Sequence, residues 1–173
     1  MDQESKTGAP AGLFRRLAAL LYDILLAIAI AFVATAAMLP LTRGEAILTS
    51  TQGPLGHAYH AVWLLAVFAY FGCCWTRSGQ TLGMRAWRIE LQTSAGLRLG
   101  WPGAAGRYLL GVAILVLAIL GIWYLAAPGS ALAHAGAIAL LAPVVANYAW
   151  VPIDSAGRSL MDLACRSRFV RLT

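Results

Sequence analysis

Charged residues and cysteines are both scarce in this chain of 173 residues. Asp, Glu, Lys and Arg make up only 12% of it, whereas hydrophobic residues make up 60%; soluble domains carry about 25% charged residues. So large an apolar fraction excludes an intrinsically disordered chain. Three cysteines exclude a disulfide-rich secreted domain. A soluble globule of this size cannot bury so much apolar surface, and the composition therefore indicates a membrane protein.

Basic residues outnumber acidic ones, with 13 Lys and Arg against seven Asp and Glu and a formal net charge of +6. Such an excess would suit nucleic-acid binding, but that function needs a basic surface with aromatic residues among the cations. No such surface remains once the long apolar stretches are set aside. We therefore expect the lipid bilayer, and no nucleic acid, as a partner.

Four apolar stretches are long enough to cross a bilayer, which requires about 20 residues. They occupy residues 17–39, 57–75, 108–127 and 131–151. The first is too long for the apolar region of a signal peptide and contains Asp23, so we expect it to be retained. Pro128, Gly129 and Ser130 separate the last two stretches and are typical of a tight turn. The fold class predicted is an all-α membrane protein with four transmembrane helices.

The cations are divided unequally between the connections. Twelve of the 13 lie before the first stretch, between the second and third, or after the fourth, and the remaining one is Arg43. Cytoplasmic connections carry the excess of Lys and Arg in membrane proteins. The distribution predicts that segment 1–16, loop 76–107 and tail 152–173 are cytoplasmic, and that residues 17–151 form the membrane domain.

The cytoplasmic loop contains an alternating pattern. Trp87, Ile89 and Leu91 would share one face of a strand, and the residues between them are polar. A turn at 94–96 and a second alternating stretch at 97–99 complete the pattern of a small β-hairpin at the membrane surface. The tail repeats the pattern at 169–172, which makes it a candidate third strand.

Three motifs, in this order and on this topology, resemble those of the RDD family of small bacterial membrane proteins. The first, RLAALLYD at residues 16–23, is similar to the family pattern R-x-x-A-x-x-x-D. The second, GQTLGMR at 79–85, is similar to G-x-T-x-G-K-R. The third, GRSLMDLA at 157–164, is similar to R-T-L-x-D-x-L-A. Together the motifs extend over most of the chain.

The family is named for one Arg and two Asp residues. The resemblance assigns the Arg to Arg16 and the first Asp to Asp23. It assigns the second Asp to Asp162, with Asp154 as the alternative.

The loop motif of the family corresponds to Gly79, Thr81 and Gly83. Two positions depart from the family pattern. Met84 replaces the usual Lys, and Ser159 replaces the usual Thr while keeping a hydroxyl group.

Asp23 lies inside a predicted span, roughly 10 Å along the helix from Arg16 at about 1.5 Å per residue. An ionised carboxylate at mid-bilayer costs about 2.5–3.5 kcal/mol, so Asp23 needs a partner or water. Arg16 lies on nearly the same helix face, and Arg107 at the head of the third span is an equally good partner. Asp23 either bonds one of these arginines and fixes the helix register, or titrates in proton or ion transfer.

Arg158 and Arg166 lie four residues before and after Asp162, so the three share one face of a helix. This spacing predicts a short amphipathic helix at the membrane surface, docked against the mouth of the bundle. The helix is either held by ordinary ion pairs or serves as a gate for a ligand.

No nucleophile–base pair, phosphate-binding loop, dinucleotide fingerprint or metal-ligand spacing occurs in the sequence. We therefore expect no enzyme activity, no cofactor and no metal site.

The family resemblance implies a protein of the bacterial inner membrane that transports ions or small solutes, with exchange of monovalent cations for protons as one form. In that mechanism Asp23 binds the proton or cation and Arg16 holds Asp23 ionised. Four helices form a narrow bundle, so transport would need a homo-oligomer. The alternative is a non-transporting adaptor or assembly factor that binds partners through its cytoplasmic hairpin and tail.

Overall fold

The computed structural model describes residues 8–40 and 54–172. These residues form four long helices, two short helices and one small antiparallel sheet of two strands. In chain order the elements are α1 (Leu13–Met38), α2 (Pro54–Arg77), α3 (Leu82–Ala86), β1 (Ile89–Thr93), α4 (Trp101–Ala126), α5 (Ala131–Ala149), α6 (Leu160–Ala164) and β2 (Ser167–Arg171).

The four long helices confirm the predicted membrane-spanning architecture. Each contains an apolar stretch long enough to cross a bilayer, and only 6–17% of the residues in these stretches are buried inside the protein. Their outward side chains are large and apolar, as contact with lipid requires; Phe32 is 78% exposed and Leu132 is 82% exposed. Helix α2 begins at Pro54, shortly before its predicted span, and two helices begin a full turn or more before theirs, α1 at Leu13 and α4 at Trp101. The early turns of both carry buried arginines, which a hydropathy pattern leaves outside the span.

Helices α4 and α5 form the predicted tight hairpin. Ser130 caps α5, because its hydroxyl accepts a hydrogen bond from the backbone N–H of Ala133 at 3.4 Å. Farther along, a Cβ atom at Gly121 would lie 2.7 Å from the side chain of Leu141 and 3.2 Å from the carbonyl oxygen of Ala137. Small residues therefore bring the two helix backbones close together, as is common in membrane bundles.

The small sheet pairs the loop with the tail. Strand β1 lies antiparallel to β2, with Leu91 opposite Phe169. The predicted antiparallel pair is thus confirmed, but the assignment of residues 97–99 as its second strand was wrong, because the tail stretch at 169–172 supplies most of that strand. After a turn in which the backbone N–H of Thr93 donates to the carbonyl of Leu97 at 2.7 Å, too few residues remain before α4 for another strand.

Residues 8–12, the loop and the described part of the tail lie at the same end of the bundle. Pro10 forms a β-bridge with Val170, and the backbone N–H of Ala11 donates to the carbonyl of Phe169 at 3.0 Å. Beneath the sheet, Ile89 and Leu91 are buried in a small core against residues of α1, α2 and α4. This end of the molecule therefore has a packed core of its own, and it positions the charged residues described next.

Candidate functional site

Asp162 is the centre of a buried ion cluster. Its Oδ2 atom accepts a hydrogen bond from Nη1 of Arg16 at 2.6 Å, and its Oδ1 atom accepts one from Nη2 of Arg107 at 2.7 Å. Ser159 and Asp162 also form a capping box at the start of α6, in which the backbone N–H of Ser159 donates to Oδ2 at 3.0 Å. The carboxylate, which is 0% exposed, therefore joins α1, α4 and α6.

The two arginines make further contacts that hold their guanidinium groups in place. Arg16 donates through Nε to the carbonyl of Ala11 at 2.9 Å and through Nη2 to the carbonyl of Gly157 at 2.6 Å. Arg107 donates through Nη1 to the hydroxyl of Ser167 at 2.6 Å.

The ring of Phe169 contacts both arginines of the cluster. The guanidinium carbons of Arg16 and Arg107 lie 4.7 and 4.9 Å from its centroid. Cation–π attraction at this distance adds to the ion pairs. Nothing in the sequence pattern predicts this role for Phe169, which belongs to the alternating stretch at 169–172.

The charges of the cluster keep Asp162 ionised. Burial alone would raise the pKa of Asp162, but the guanidinium groups of Arg107 and Arg16 hold it below its ordinary value. Two cations share one anion, so the buried cluster carries an excess positive charge.

Asp154 lies beside this cluster in a separate ion pair with Arg158. Arg158 donates through Nε and Nη2 to the two carboxylate oxygens of Asp154, each at 3.0 Å. Hydrogen bonds from Arg158 lower the pKa of Asp154 to about 2. Between the two carboxylates that were candidates for the second Asp of the family motif, only Asp162 contacts Arg16.

The predicted face shared by Arg158, Asp162 and Arg166 was wrong. Helix α6 extends only from Leu160 to Ala164, so both arginines lie outside it. Arg166 has a φ of 47°, which ends the helical geometry. Asp162 points into the bundle, where it is fully buried, because its partners come from α1 and α4.

Asp23 forms a second polar site, two turns farther along α1. Its Oδ2 atom accepts a hydrogen bond from the hydroxyl of Thr81 at 2.5 Å, and its Oδ1 atom accepts one from the backbone N–H of Gly83 at 3.0 Å. Thr81 also caps α3, because its hydroxyl accepts from the backbone N–H of Met84 at 3.1 Å. The side chains of Asp23 and Thr81 are both buried.

The expected pairing of Asp23 with Arg16 or Arg107 was wrong. Both arginines bind Asp162 instead, and within residues 8–40 and 54–172 no cation lies within 4.0 Å of the Asp23 carboxylate. Asp23 is directed towards the second family motif, which brings a hydroxyl and a backbone N–H to it.

One glycine of that motif allows the backbones of α3 and α1 to approach closely, and the other allows the chain to reverse its direction. A Cβ atom at Gly83 would collide with the backbone carbonyl of Ala19 and lie 2.9 Å from Oδ1 of Asp23. Gly79 has a φ of 72°, in the left-handed region that favours glycine, and its carbonyl accepts from the N–H of Leu91 at 2.8 Å. Met84, at the position of the family Lys, is buried in the small core.

The part of the chain that the structure describes has no group of three or more His, Cys, Asp and Glu side chains arranged to hold a metal ion.

Four membrane-spanning helices and a buried Arg–Asp cluster at one end define a multi-pass membrane protein. A model of the RDD family matches residues 10–166, and the chain belongs to that family. No curated protein and no solved structure gives a significant match.

Proposed function

We propose that the protein moves protons or small monovalent cations across the membrane, with Asp23 as the group that binds and releases them. The observation that supports this is the environment of Asp23, a carboxylate inside a membrane span that contacts neutral donors and, among the described residues, no cation. Carboxylates in such positions mark proton and ion pathways. A carboxylate that only fixed the helix register would be expected to have its charge matched by an arginine.

The hydrogen bonds of Asp23 are compatible with both of its protonation states. The Thr81 hydroxyl donates to the ionised carboxylate, and it has a second lone pair with which to accept from the protonated one. The N–H of Gly83 donates to the other oxygen in either state. Proton exchange at Asp23 would therefore leave the packing of α3 on α1 in place.

In this proposal the arginines have a different role from the one that the sequence suggested. Arg16 and Arg107 neutralise Asp162 and hold α1, α4 and the tail together, so they act as the frame of the bundle. Asp23 keeps its negative charge available for a proton or cation.

A path from Asp23 to the far side of the membrane must pass an apolar part of α1. All residues from Ile24 to Ala34 are apolar, and the next polar group is Thr35, whose hydroxyl lies 2.6 Å from that of Tyr59. Twelve residues of helix span roughly 18 Å at about 1.5 Å per residue. We therefore include a homo-oligomer in the proposal, with the path formed between copies of the chain.

The orientation follows from the charges. The end that carries the sheet and the ion cluster is also rich in arginine, which supports placing it in the cytoplasm of a bacterial cell.

Flux measurements in proteoliposomes test this proposal. A pH-sensitive dye inside the vesicles reports proton movement when Na⁺, K⁺ or Li⁺ is added outside. The wild type should give cation-dependent flux, and Asp23→Asn should abolish it, because an amide cannot exchange a proton at this position. Asp154→Asn is the matched control, since it makes the same chemical change in a carboxylate outside the spans.

Thermal unfolding in detergent separates lost transport from lost folding. Asp23→Asn retains an oxygen and an approximate shape, so it should stay folded. Flux that survives in Asp23→Asn would disprove the proposal. Absence of flux in a folded wild type across pH 6 to 9 would favour the adaptor function instead.

A further inference from the structure

Most arginines at the sheet end of the molecule form no ion pair with an acidic side chain of the described residues. Of the 11 cations within residues 8–40 and 54–172, only Arg16, Arg107 and Arg158 form ion pairs. The others lie at the same end, before α1, around the loop or in the tail: Arg15, Arg77, Arg85, Arg88, Arg98, Arg166, Arg168 and Arg171. This end therefore presents an excess of positive charge close to the membrane surface.

An apolar groove on the outside of the bundle opens beside α3. It has a volume of about 360 Å³ and is lined by Tyr22, Leu25, Leu26, Ala29, Leu82 and Gly83. The α1 residues extend over two helical turns, and Leu82 and Gly83 of α3 complete the lining. An open apolar groove of this kind on a membrane-spanning helix suits a hydrocarbon chain.

Three of the unpaired arginines lie on α3 or contact its end, and α3 lines one side of the groove. Arg85 follows Leu82 by one helical turn, so the two share a face of α3, and both side chains are exposed. Arg15 reaches the end of α3, because its Nη1 atom donates to the carbonyl of Trp87 at 3.2 Å. Arg88 is the next residue along the chain and is exposed.

We propose that this groove is a binding site for one anionic phospholipid. An acyl chain lies against α1 between Tyr22 and Ala29, and the phosphate is bound at Arg85 with Arg15 and Arg88 beside it. Charge complementarity selects the lipid class, because basic residues at the membrane surface attract anionic headgroups and have no such preference for zwitterionic ones. The site stands independently of the transport function proposed above.

Native mass spectrometry of the purified protein tests the site with two probes, dioleoyl-phosphatidylglycerol and dioleoyl-phosphatidylcholine. We expect preferential retention of one phosphatidylglycerol. The double variant Arg85→Gln/Arg88→Gln should weaken its binding about five-fold for each guanidinium removed. The matched control is Arg98→Gln/Arg166→Gln, which removes the same charge at the opposite end of β1 from Arg88.

A second pair of variants tests the acyl-chain part of the site. Ala29→Trp fills the groove and should displace the lipid, whereas Ala37→Trp changes an exposed residue of α1 outside it and should not. Equal weakening by the two double arginine variants would overturn the proposal by showing attraction to the whole charged surface. Unchanged lipid binding in Ala29→Trp, or equal retention of both lipids, would overturn it as well.

Discussion

Asp23 and Asp162 are both buried aspartates, but their neighbours differ in charge. Asp162 accepts hydrogen bonds from two guanidinium groups, whereas Asp23 accepts them from a hydroxyl and a backbone N–H. An ionised group with cationic partners is held in one state, and a group with neutral partners can change its state. This difference separates the structural aspartate from the one that we propose to be functional.

Asp162→Asn is expected to be strongly destabilising. The amide leaves the buried guanidinium groups of Arg16 and Arg107 without a counter-charge, and removal of one partner from a buried ion pair costs about 3–5 kcal/mol. Thermal unfolding in detergent micelles measures the effect. Asp154→Asn is the control and should cause a clearly smaller loss, because its ion pair with Arg158 is partly exposed. Equal losses in the two variants would contradict the central role of Asp162.

Acid should destabilise the wild type through the same group. The pKa of Asp162 in the folded protein lies below the value of about 3.9 for an unfolded aspartate. Its contribution to stability is therefore complete above pH ~4 and is lost as the pH falls towards the folded pKa. The pH dependence of thermal unfolding below pH ~4 should be reduced in Asp162→Asn. An unchanged pH dependence in that variant would assign the acid effect to other carboxylates.

The pairing of these charges could not be read from the sequence. Arg16, Arg107 and both aspartates were identified as candidates, but Arg16 and Asp162 are 146 positions apart, and helical periodicity relates only residues of the same helix. Periodicity therefore pointed to Asp23 as a partner of Arg16. The contact of Thr81 with Asp23 was missed for the same reason, since the two lie on different elements.

At the scale of elements, α3 packs on α1 only because their two backbones can approach each other closely. Gly83 permits that approach, because any side chain there would meet the backbone of Ala19 and the carboxylate of Asp23. The short helix and the Asp23 site are therefore formed by the same contact.

Gly83→Ala should separate α3 from α1 and break the hydrogen bonds to Asp23. We expect a loss of thermal stability and, if Asp23 carries protons, a loss of flux as well. Gly106→Ala on α4 is the matched control, since a Cβ atom at Gly106 would have no residue of another described element within 4 Å. Alanine there should be neutral or stabilising by up to about 1 kcal/mol, because alanine is the better helix former. A stable and active Gly83→Ala protein would contradict the close packing at this contact.

The sequence predicts the membrane helices but the sheet only in part, because the two kinds of element depend on different ranges of the chain. A span of about 20 apolar residues is a local property that hydropathy measures directly. The alternation that identified β1 is also local, but the choice of its partner strand depends on competition between two distant segments. The tail, and not the stretch at 97–99, pairs with β1 because Ser167 and Phe169 on β2 also contact the buried arginines.

At the scale of the whole molecule, residues 8–12, the loop and the tail up to residue 172 form a single packed cap on the membrane helices. The cap is joined to α1 and α4 through the cluster around Asp162, and to α1 again through Asp23. The opposite end of the bundle has no comparable cluster in the part of the chain that the structure describes. Relative motion of the helices is therefore expected to be greatest away from the cap.

The order of the chain gives the ion cluster a consequence for biosynthesis. Arg16 and Arg107 are translated before Asp162, and their helices can enter the membrane before it is made. Until the tail emerges and folds back, the nascent protein carries two guanidinium groups at the mouth of the bundle without their anion. Completion of the tail is thus the step that supplies the anion for these two arginines and ties α1 to α4.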